Sequence, residues 1–244
     1  MPKLTVSSNL CDFYTTLKPP IQLDFTKDYE TAFLSLSVYN SLPNITEENN
    51  KFKYSSDKGN SWKIITLSKG AYELNDINAE IQKEMFINSD YDEVNNSFYI
   101  NIDFHKPTFK TLLEISNENY MVDFGIENSI AYTLGFTNER LGVGVYASPN
   151  VVNIEKVNSI LIHCDFVLGS YVNESQSNVI YSFTPKVGPG YKIIEHPKPE
   201  LHFLPMVKRF QLDQYRIWLT DQNNKPIDLM GEIMTIDILI REKK

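Results

Sequence analysis

The chain has 244 residues and a mass of 28.2 kDa, with 42% hydrophobic and 22% charged residues. This composition excludes wholesale disorder, and its 14 Phe and 14 Tyr, with frequent Val, Ile and Thr, favour strands over helices. A net charge of −8 opposes contact with a phosphate backbone, so no direct nucleic-acid partner is expected.

Neither secretion nor membrane insertion is predicted. No basic and apolar leader opens the sequence, and no apolar run approaches the length of a bilayer span. The two cysteines, Cys11 and Cys164, are too few and too far apart for a disulfide scaffold. We therefore expect synthesis in a reducing compartment inside the cell.

The first half of the chain is predicted to contain an arm and then a domain. Residues 1–19 carry no sustained periodicity and end at Pro19-Pro20, which predicts an N-terminal arm before a single domain over residues 20–244. Residues 32–39 alternate with a period of two, which predicts a strand. In that strand the even-numbered residues would face the core, and Phe33 and Tyr39 would face outward.

Two short strands and two helices are expected next. The strands are predicted at Lys51–Ser55 and Trp62–Leu67. Apolar residues at three- and four-residue spacing predict a helix over about 76–87, started by Asn75 or Asp76. A shorter helix is predicted from residue 128 or 129 to 134, because Gly135 follows in a position that commonly ends helices.

The second half reads as further strands. Residues 157–168 alternate, with Ile162 on a dry face and His163 and Asp165 on a wet face. Residues 208–220 change the parity of their apolar residues, which predicts a bulge near Asp213-Gln214. The other predicted strands are Val179–Thr184, Tyr191–Glu195 and the run from Met234 to Ile240.

About ten short strands joined by Gly, Pro and Asn turns predict a mainly β protein. The strands do not alternate regularly with helices, which disfavours a parallel α/β fold. The expected architecture is an antiparallel single jelly-roll sandwich with one or two short helices.

The sequence predicts no catalytic, cofactor or metal site. The four histidines lack metal-ligand spacing, and the acidic patch at residues 88–93 lacks the Gly and Glu that a calcium loop needs. His163 and Asp165 share a face, so they could orient an imidazole for base catalysis. A solvent-facing or interface pair is the alternative for these two residues.

Several segments resemble the penton, or minor capsid, proteins of Polinton/Maverick elements and adintoviruses. The similarity spans roughly residues 30–240 and consists of structural motifs, whose order and number carry the resemblance. The segments are Lys69–Ile77, Leu134–Phe136, Val157–Tyr171, Ile180–Pro185, Gly188–Ile193, Trp218–Leu229 and Gly231–Ile236.

The resemblance implies a non-enzymatic capsid subunit. Such a protein forms homopentamers at the vertices of an icosahedral shell, beside a double jelly-roll major capsid protein, and is located in the virion. A carbohydrate-binding jelly-roll module and an enzyme on a β-sandwich are the alternatives from other functional classes.

A five-fold ring needs contacts between different patches of neighbouring copies. Aromatic side chains on outward faces suit such contacts, and the candidates are Phe33, Tyr39, Tyr99 and Trp218. The alternative is that these side chains cover the core under loops or helices. The predicted arm is expected to bind the major capsid protein and to fold on binding.

Overall fold

The computed structural model describes residues 2–154 and 157–243. The chain divides into two compact units, which we call the first unit (Met1–Leu42 with Val157–Lys244) and the second unit (Pro43–Lys156). Each unit has its own buried apolar core. This division differs from the predicted single domain over residues 20–244, because the second unit is inserted within the sequence of the first.

In the described residues, strands dominate and two helices occur. The elements of the chain up to the second unit are β1 (Lys3–Ser8), β2 (Asp12–Gln22) and β3 (Tyr29–Tyr39). The second unit contains β4 (Lys51–Ser55), β5 (Lys63–Thr66), α1 (Leu74–Ile87), β6 (Ile100–His105), β7 (Lys110–Ile115), β8 (Met121–Asp123), α2 (Ala131–Leu134), β9 (Arg140–Leu141) and β10 (Gly144–Ala147). The first unit resumes with β11 (Ile160–Cys164), β12 (Ser170–Val172), β13 (Ser175–Ser177), β14 (Val179–Phe183), β15 (Lys192–Glu195), β16 (Leu204–Pro205), β17 (Gln211–Asp221) and β18 (Met234–Glu242).

The first unit is an antiparallel sandwich. One sheet has the strand order β1-β18-β3-β15, with β16 also paired to β3, and the other has the order β14-β11-β17-β2. Residues from both sheets form one core, such as Leu36 and Ile238 from the first sheet and Ile162 and Ile217 from the second. Two antiparallel sheets around one core confirm the predicted mainly β, jelly-roll class.

The expected N-terminal arm is wrong, because residues 3–8 and 12–22 are strands of the sandwich. β1 pairs with β18, and β2 pairs with β17. The alternating Phe13 and Leu17 pack against the core. Pro19 and Pro20 are tolerated because residues 17–20 of the edge strand β2 have no partner in its register with β17, so the missing amide donors break no ladder. An arm that folds only on binding is therefore no longer proposed.

The strand predicted at residues 51–55 is confirmed without change, and those at 179–184, 191–195 and 234–240 are confirmed with a shift of one or two residues at one end. The bulge in β17 is also confirmed: its register with β2 shifts between Leu212 and Gln214. The predicted wet face of β11 is wrong, because all five of its residues are buried, including His163 at 4% exposure.

The second unit combines α1 with two small sheets, of orders β10-β7-β6 and β5-β4-β8-β9. Helix α1 begins at Leu74, earlier than predicted, where the Glu73 amide donates to the Asp76 carboxylate at 2.8 Å. Its buried face carries the predicted apolar residues. Helix α2 ends at Gly135, whose φ of +79° is left-handed as expected for a helix end.

The longest helix among the described residues has 14 residues, and none is long and apolar enough to cross a bilayer.

Candidate subunit interface

Phe33 is a core residue, so its prediction as an interface residue is wrong. Its side chain is 2% exposed, and its ring stacks on Tyr181 with centroids 4.4 Å apart. The cause is a register shift: Ile236 opposes Leu36, whereas Ile238 opposes Phe33 instead of Leu34. The extra residue in β3 turns Phe33 to the same side as Leu36 and the core.

Tyr99 lies in the second unit and covers the core of that unit, which was the alternative to an interface role. The residue is half-buried and packs against that core. Its ring lies 4.7 Å from the ring of Tyr120, which is 6% exposed. Tyr99 therefore offers less free surface than the sequence suggested.

Tyr39 remains open to a partner. It ends β3 with 46% of its surface exposed, and the Lys192 ammonium lies 5.7 Å from its ring centroid. A second exposed apolar side chain shares the outward face of this strand pair: Ile194, at 63% exposure, pairs with Ser37, two residues before Tyr39. We call Tyr39 and Ile194 the Tyr patch.

Trp218 belongs to a stack of side chains that crosses three strands of one sheet. In the register of β2, β17 and β11, Arg216 opposes Tyr14, and Trp218 opposes His163. The His163 ring lies parallel to Trp218, with centroids 4.8 Å apart, and the Arg216 guanidinium lies 4.7 Å from the Trp218 centroid. Trp218 is half-buried, and these two contacts occupy much of its ring.

The charges in this stack are satisfied within the chain. Arg216 donates two hydrogen bonds to the Asp12 carboxylate, at 2.7 and 2.5 Å. The hydrogen bond from Arg216 lowers the pKa of Asp12 below its usual value. Since Asp12 lies on the edge strand β2, this bidentate pair fastens β2 to its neighbour β17.

His163 is held as a neutral ring. Its Nε2 lies 2.8 Å from the Thr220 hydroxyl, and desolvation, with a smaller contribution from the charge of Arg216, lowers the pKa of His163 to about 4. The Asp165 carboxylate lies 3.8 Å from Arg209. His163 is thus bonded to Thr220 and stacked on Trp218, and His163 and Asp165 do not form the base-orienting pair that the sequence allowed.

Phe25 and Phe210 form an exposed aromatic pair that sequence reasoning missed. Their rings stack with centroids 4.5 Å apart and an angle of 16°, although Phe25 is 45% and Phe210 71% exposed. The pair lies where β2 ends and β17 begins, since the Leu23 amide donates to the Phe210 carbonyl at 2.9 Å. Phe25 lies in no alternating run, and Phe210 shares the parity of the buried Leu212, so no local signal marked either ring as exposed. We call them the Phe patch.

Two ion pairs involve residues that are close to Phe25 and Phe210 in the sequence. Lys27 pairs with Glu242 at 2.8 Å, and Lys208 pairs with Asp28 at 3.0 Å. Exposed aromatic side chains with charged residues nearby are common in protein–protein contacts.

The acidic segment at residues 88–93 has a structural role. Asp90 is 6% exposed and accepts hydrogen bonds from the Tyr54 hydroxyl at 2.7 Å and from Lys63 at 2.5 Å. Within residues 2–154 and 157–243, no group of three or more His, Cys, Asp or Glu side chains is arranged to hold a metal ion.

Comparisons with known proteins support the fold. No family model and no curated protein sequence matches the chain. Among solved structures, the chain is similar to the crystal structure of selenomethionine-labelled mavirus penton protein. The similarity covers 99% of each chain with a TM-score of 0.52, at 10% sequence identity. The resemblance to penton proteins drawn from the sequence is thus confirmed at the level of the fold.

Proposed function

We propose that this protein is the penton subunit of a viral-type icosahedral capsid and assembles as a homopentamer at the vertices. The observation that carries the proposal is the fold similarity over 99% of both chains to the mavirus penton protein. This match includes both the first and the second unit. A general likeness between two β-sandwiches would be limited to the first unit.

The surface of the first unit supports a role in self-association. The Phe patch and the Tyr patch leave exposed apolar side chains available to a neighbouring copy. The stack around Trp218 is satisfied internally and stabilises an edge strand. A structural role, without catalysis, accounts for these features together.

The partners and location follow from the same proposal. The pentamer would contact a double jelly-roll major capsid protein and would be located in the virion after synthesis inside the host cell. The proposed source is the class of elements whose penton proteins the sequence resembles, the Polinton/Maverick elements and adintoviruses.

The mass of the purified protein in solution tests the proposal. The expected result is a species near five times the chain mass of 28.2 kDa in sedimentation velocity, with five-fold symmetric particles in electron micrographs. A protein that remains a monomer at high concentration, both alone and with the major capsid protein, would contradict it.

The carbohydrate-binding alternative needs an aromatic ring with a free face. Trp218 does not supply one, because His163 and Arg216 contact it. Among the described residues of the first unit, Tyr171 on the hairpin of β12 and β13 is 72% exposed and is the better candidate. Glycan binding that is lost in Tyr171→Ser, by a protein that stays monomeric, would favour this alternative over the capsid role.

A further inference from the structure

The second unit contains an open cleft beside helix α2 that the proposed capsid role does not use. Its volume is about 500 Å³, which lies within the range of roughly 300–1,000 Å³ typical of small-molecule sites. Its walls come from the segments on either side of α2, at residues 126–132 and 136–138, and from Glu48 and Asn150. All of these residues belong to the second unit, so the cleft is complete within it.

Main-chain hydrogen bonds fix the walls of this cleft. The main-chain carbonyl of Asn128 accepts a hydrogen bond from the Lys51 amide at 2.9 Å, and the main-chain amide of Asn150 donates to the Gly135 carbonyl at 3.0 Å. The Ser148 hydroxyl donates to the Asn150 carbonyl at 2.6 Å. Because the fold already orders these segments, a ligand would lose little free energy in ordering them on binding.

Neutral polar side chains dominate the lining. Six of the ten lining residues are polar, namely Glu48, Asn128, Ser129, Thr137, Asn138 and Asn150, and only Glu48 is charged. Among the described residues, the side-chain amides of the three asparagines have no hydrogen-bond partner. Each of these amides can both donate and accept hydrogen bonds, so the cleft presents unused capacity of both kinds.

The aromatic side chain of Tyr132 also lines the cleft and has a free ring. Tyr132 is 72% exposed, and its ring has no aromatic or cationic contact within the described residues. In this it differs from Trp218, which His163 and Arg216 contact. An exposed tyrosine offers a flat apolar surface with a polar tip beside the asparagine amides.

The lining disfavours other classes of ligand. No lysine, arginine or histidine is among the described lining residues, so a phosphate or sulfate would find no cationic partner. A single carboxylate is also a poor start for a calcium site, which needs roughly six to eight oxygen ligands. A wholly apolar ligand would remove water from the amides without replacing their hydrogen bonds.

We propose that this cleft binds neutral carbohydrate. Each sugar hydroxyl both donates and accepts hydrogen bonds, as do the amides of Asn128, Asn138 and Asn150. The C–H face of a sugar ring is apolar and would pack on the ring of Tyr132. Because the cleft is open, an oligosaccharide can continue beyond it. This inference goes beyond the proposed function and does not depend on the oligomeric state.

Binding of defined sugars to the full chain tests the proposal. The probes are lactose, maltose, cellobiose and diacetylchitobiose, each titrated against the protein in nuclear magnetic resonance spectra, with inorganic phosphate as the anionic comparison. At least one disaccharide should bind and should shift the amide signals of residues 126–138, whereas phosphate should not. If none of the four disaccharides shifts these signals, or if phosphate shifts them, the proposal is overturned.

Substitutions at the cleft then assign the binding to named side chains. Tyr132→Ser should weaken binding at least about tenfold, and Asn138→Ala about threefold or more, the loss expected for one hydrogen bond. Both residues are exposed, so circular dichroism should be unchanged. Tyr171→Ser is the matched control, because Tyr171 is also 72% exposed but lies in the first unit, and this variant should bind as the wild type does.

The outcomes separate this inference from the proposed function. Binding that is lost in Tyr171→Ser and kept in Tyr132→Ser would place the sugar on the first unit and overturn the inference. A protein that forms pentamers but binds none of the sugars would overturn the inference and leave the penton assignment standing. A monomer that binds sugar through Tyr132 would do the reverse.

Discussion

Acidification is expected to destabilise the first unit through His163. The ring is buried, stacks on Trp218 at 4.8 Å and lies 2.8 Å from the Thr220 hydroxyl. Burial lowers the pKa of His163 from 6.5 to about 4 in the folded chain, whereas the unfolded chain leaves the ring at its ordinary value. Between these two values the unfolded state binds a proton that the folded state does not.

The sign and size of the effect follow from this difference. The stability contributed by neutral His163 is fully present above about pH 6.5 and is lost as the pH falls toward 4. At about 1.4 kcal/mol per pKa unit, the loss amounts to about 3 kcal/mol. Because native proteins are stable by only about 5–15 kcal/mol, this loss should be readily measured.

Urea unfolding at a series of pH values is the assay. The sequence has two tryptophans, Trp62 in the second unit and Trp218 in the first, so Trp62→Phe leaves fluorescence that reports on the first unit alone. In that background, the stability difference between the parent and His163→Gln should shrink by about 3 kcal/mol between pH 7 and pH 4. The exposed His196, changed to Asn, is the control for removing a histidine from the same unit.

A difference between parent and His163→Gln that stays constant from pH 7 to pH 4 would refute the reasoning. So would a nuclear magnetic resonance titration in which the ring of His163 protonates near its ordinary pKa of 6.5.

Three further substitutions, two of them with a matched control, test the structural assignments. Phe33→Ala should lower the free energy of unfolding of the first unit by about 3–5 kcal/mol, because it leaves a cavity in the core, whereas Tyr39→Ala should cost less than about 1 kcal/mol. Arg216→Ala should lower it by about 1 kcal/mol and should speed amide hydrogen exchange along β2, since the bond to that edge strand is lost. Gly135→Ala should lower the melting temperature of the second unit markedly, because φ is +79° and a Cβ would lie 2.4 Å from a backbone oxygen. Gly59→Ala, at φ +85° and with its nearest neighbour at 3.4 Å, should cost less.

Each of these three predictions has an outcome that would contradict it. If Phe33→Ala and Tyr39→Ala lower the free energy of unfolding equally in urea, the bulge in β3 is misplaced. Unchanged exchange in β2 would show that Arg216 does not hold the edge strand. Equal melting temperatures for the two glycine variants would mean that a Cβ at position 135 does not clash with the backbone as the structure indicates.

The sequence by itself determined the elements whose signals are local. Helix α1 follows from apolar residues at helical spacing, and the end of α2 follows from Gly135. The bulge in β17 follows from the change of parity around Asp213. These patterns depend on neighbours a few residues apart, so they can be read before the fold is known.

The edge strands were missed because their stabilising partners are distant in sequence. β1 pairs with β18, at the other end of the chain, and Asp12 of β2 pairs with Arg216. The proline pair disfavours a central strand but is compatible with an edge, and only the sheet order decides which position a strand takes. The alternation of Phe13, Thr15 and Leu17 was the local signal that favoured β2.

Only the tertiary structure decided which aromatic side chains are available to a partner. Phe33 changes face because β3 gains one residue relative to β18, and a shift of one residue reverses every side chain beyond it. Phe25 and Phe210 lie near opposite ends of the sequence and meet only when β2 and β17 pair. A period of two predicts that a strand has two faces, but the face that meets water depends on registers set by strands elsewhere in the chain.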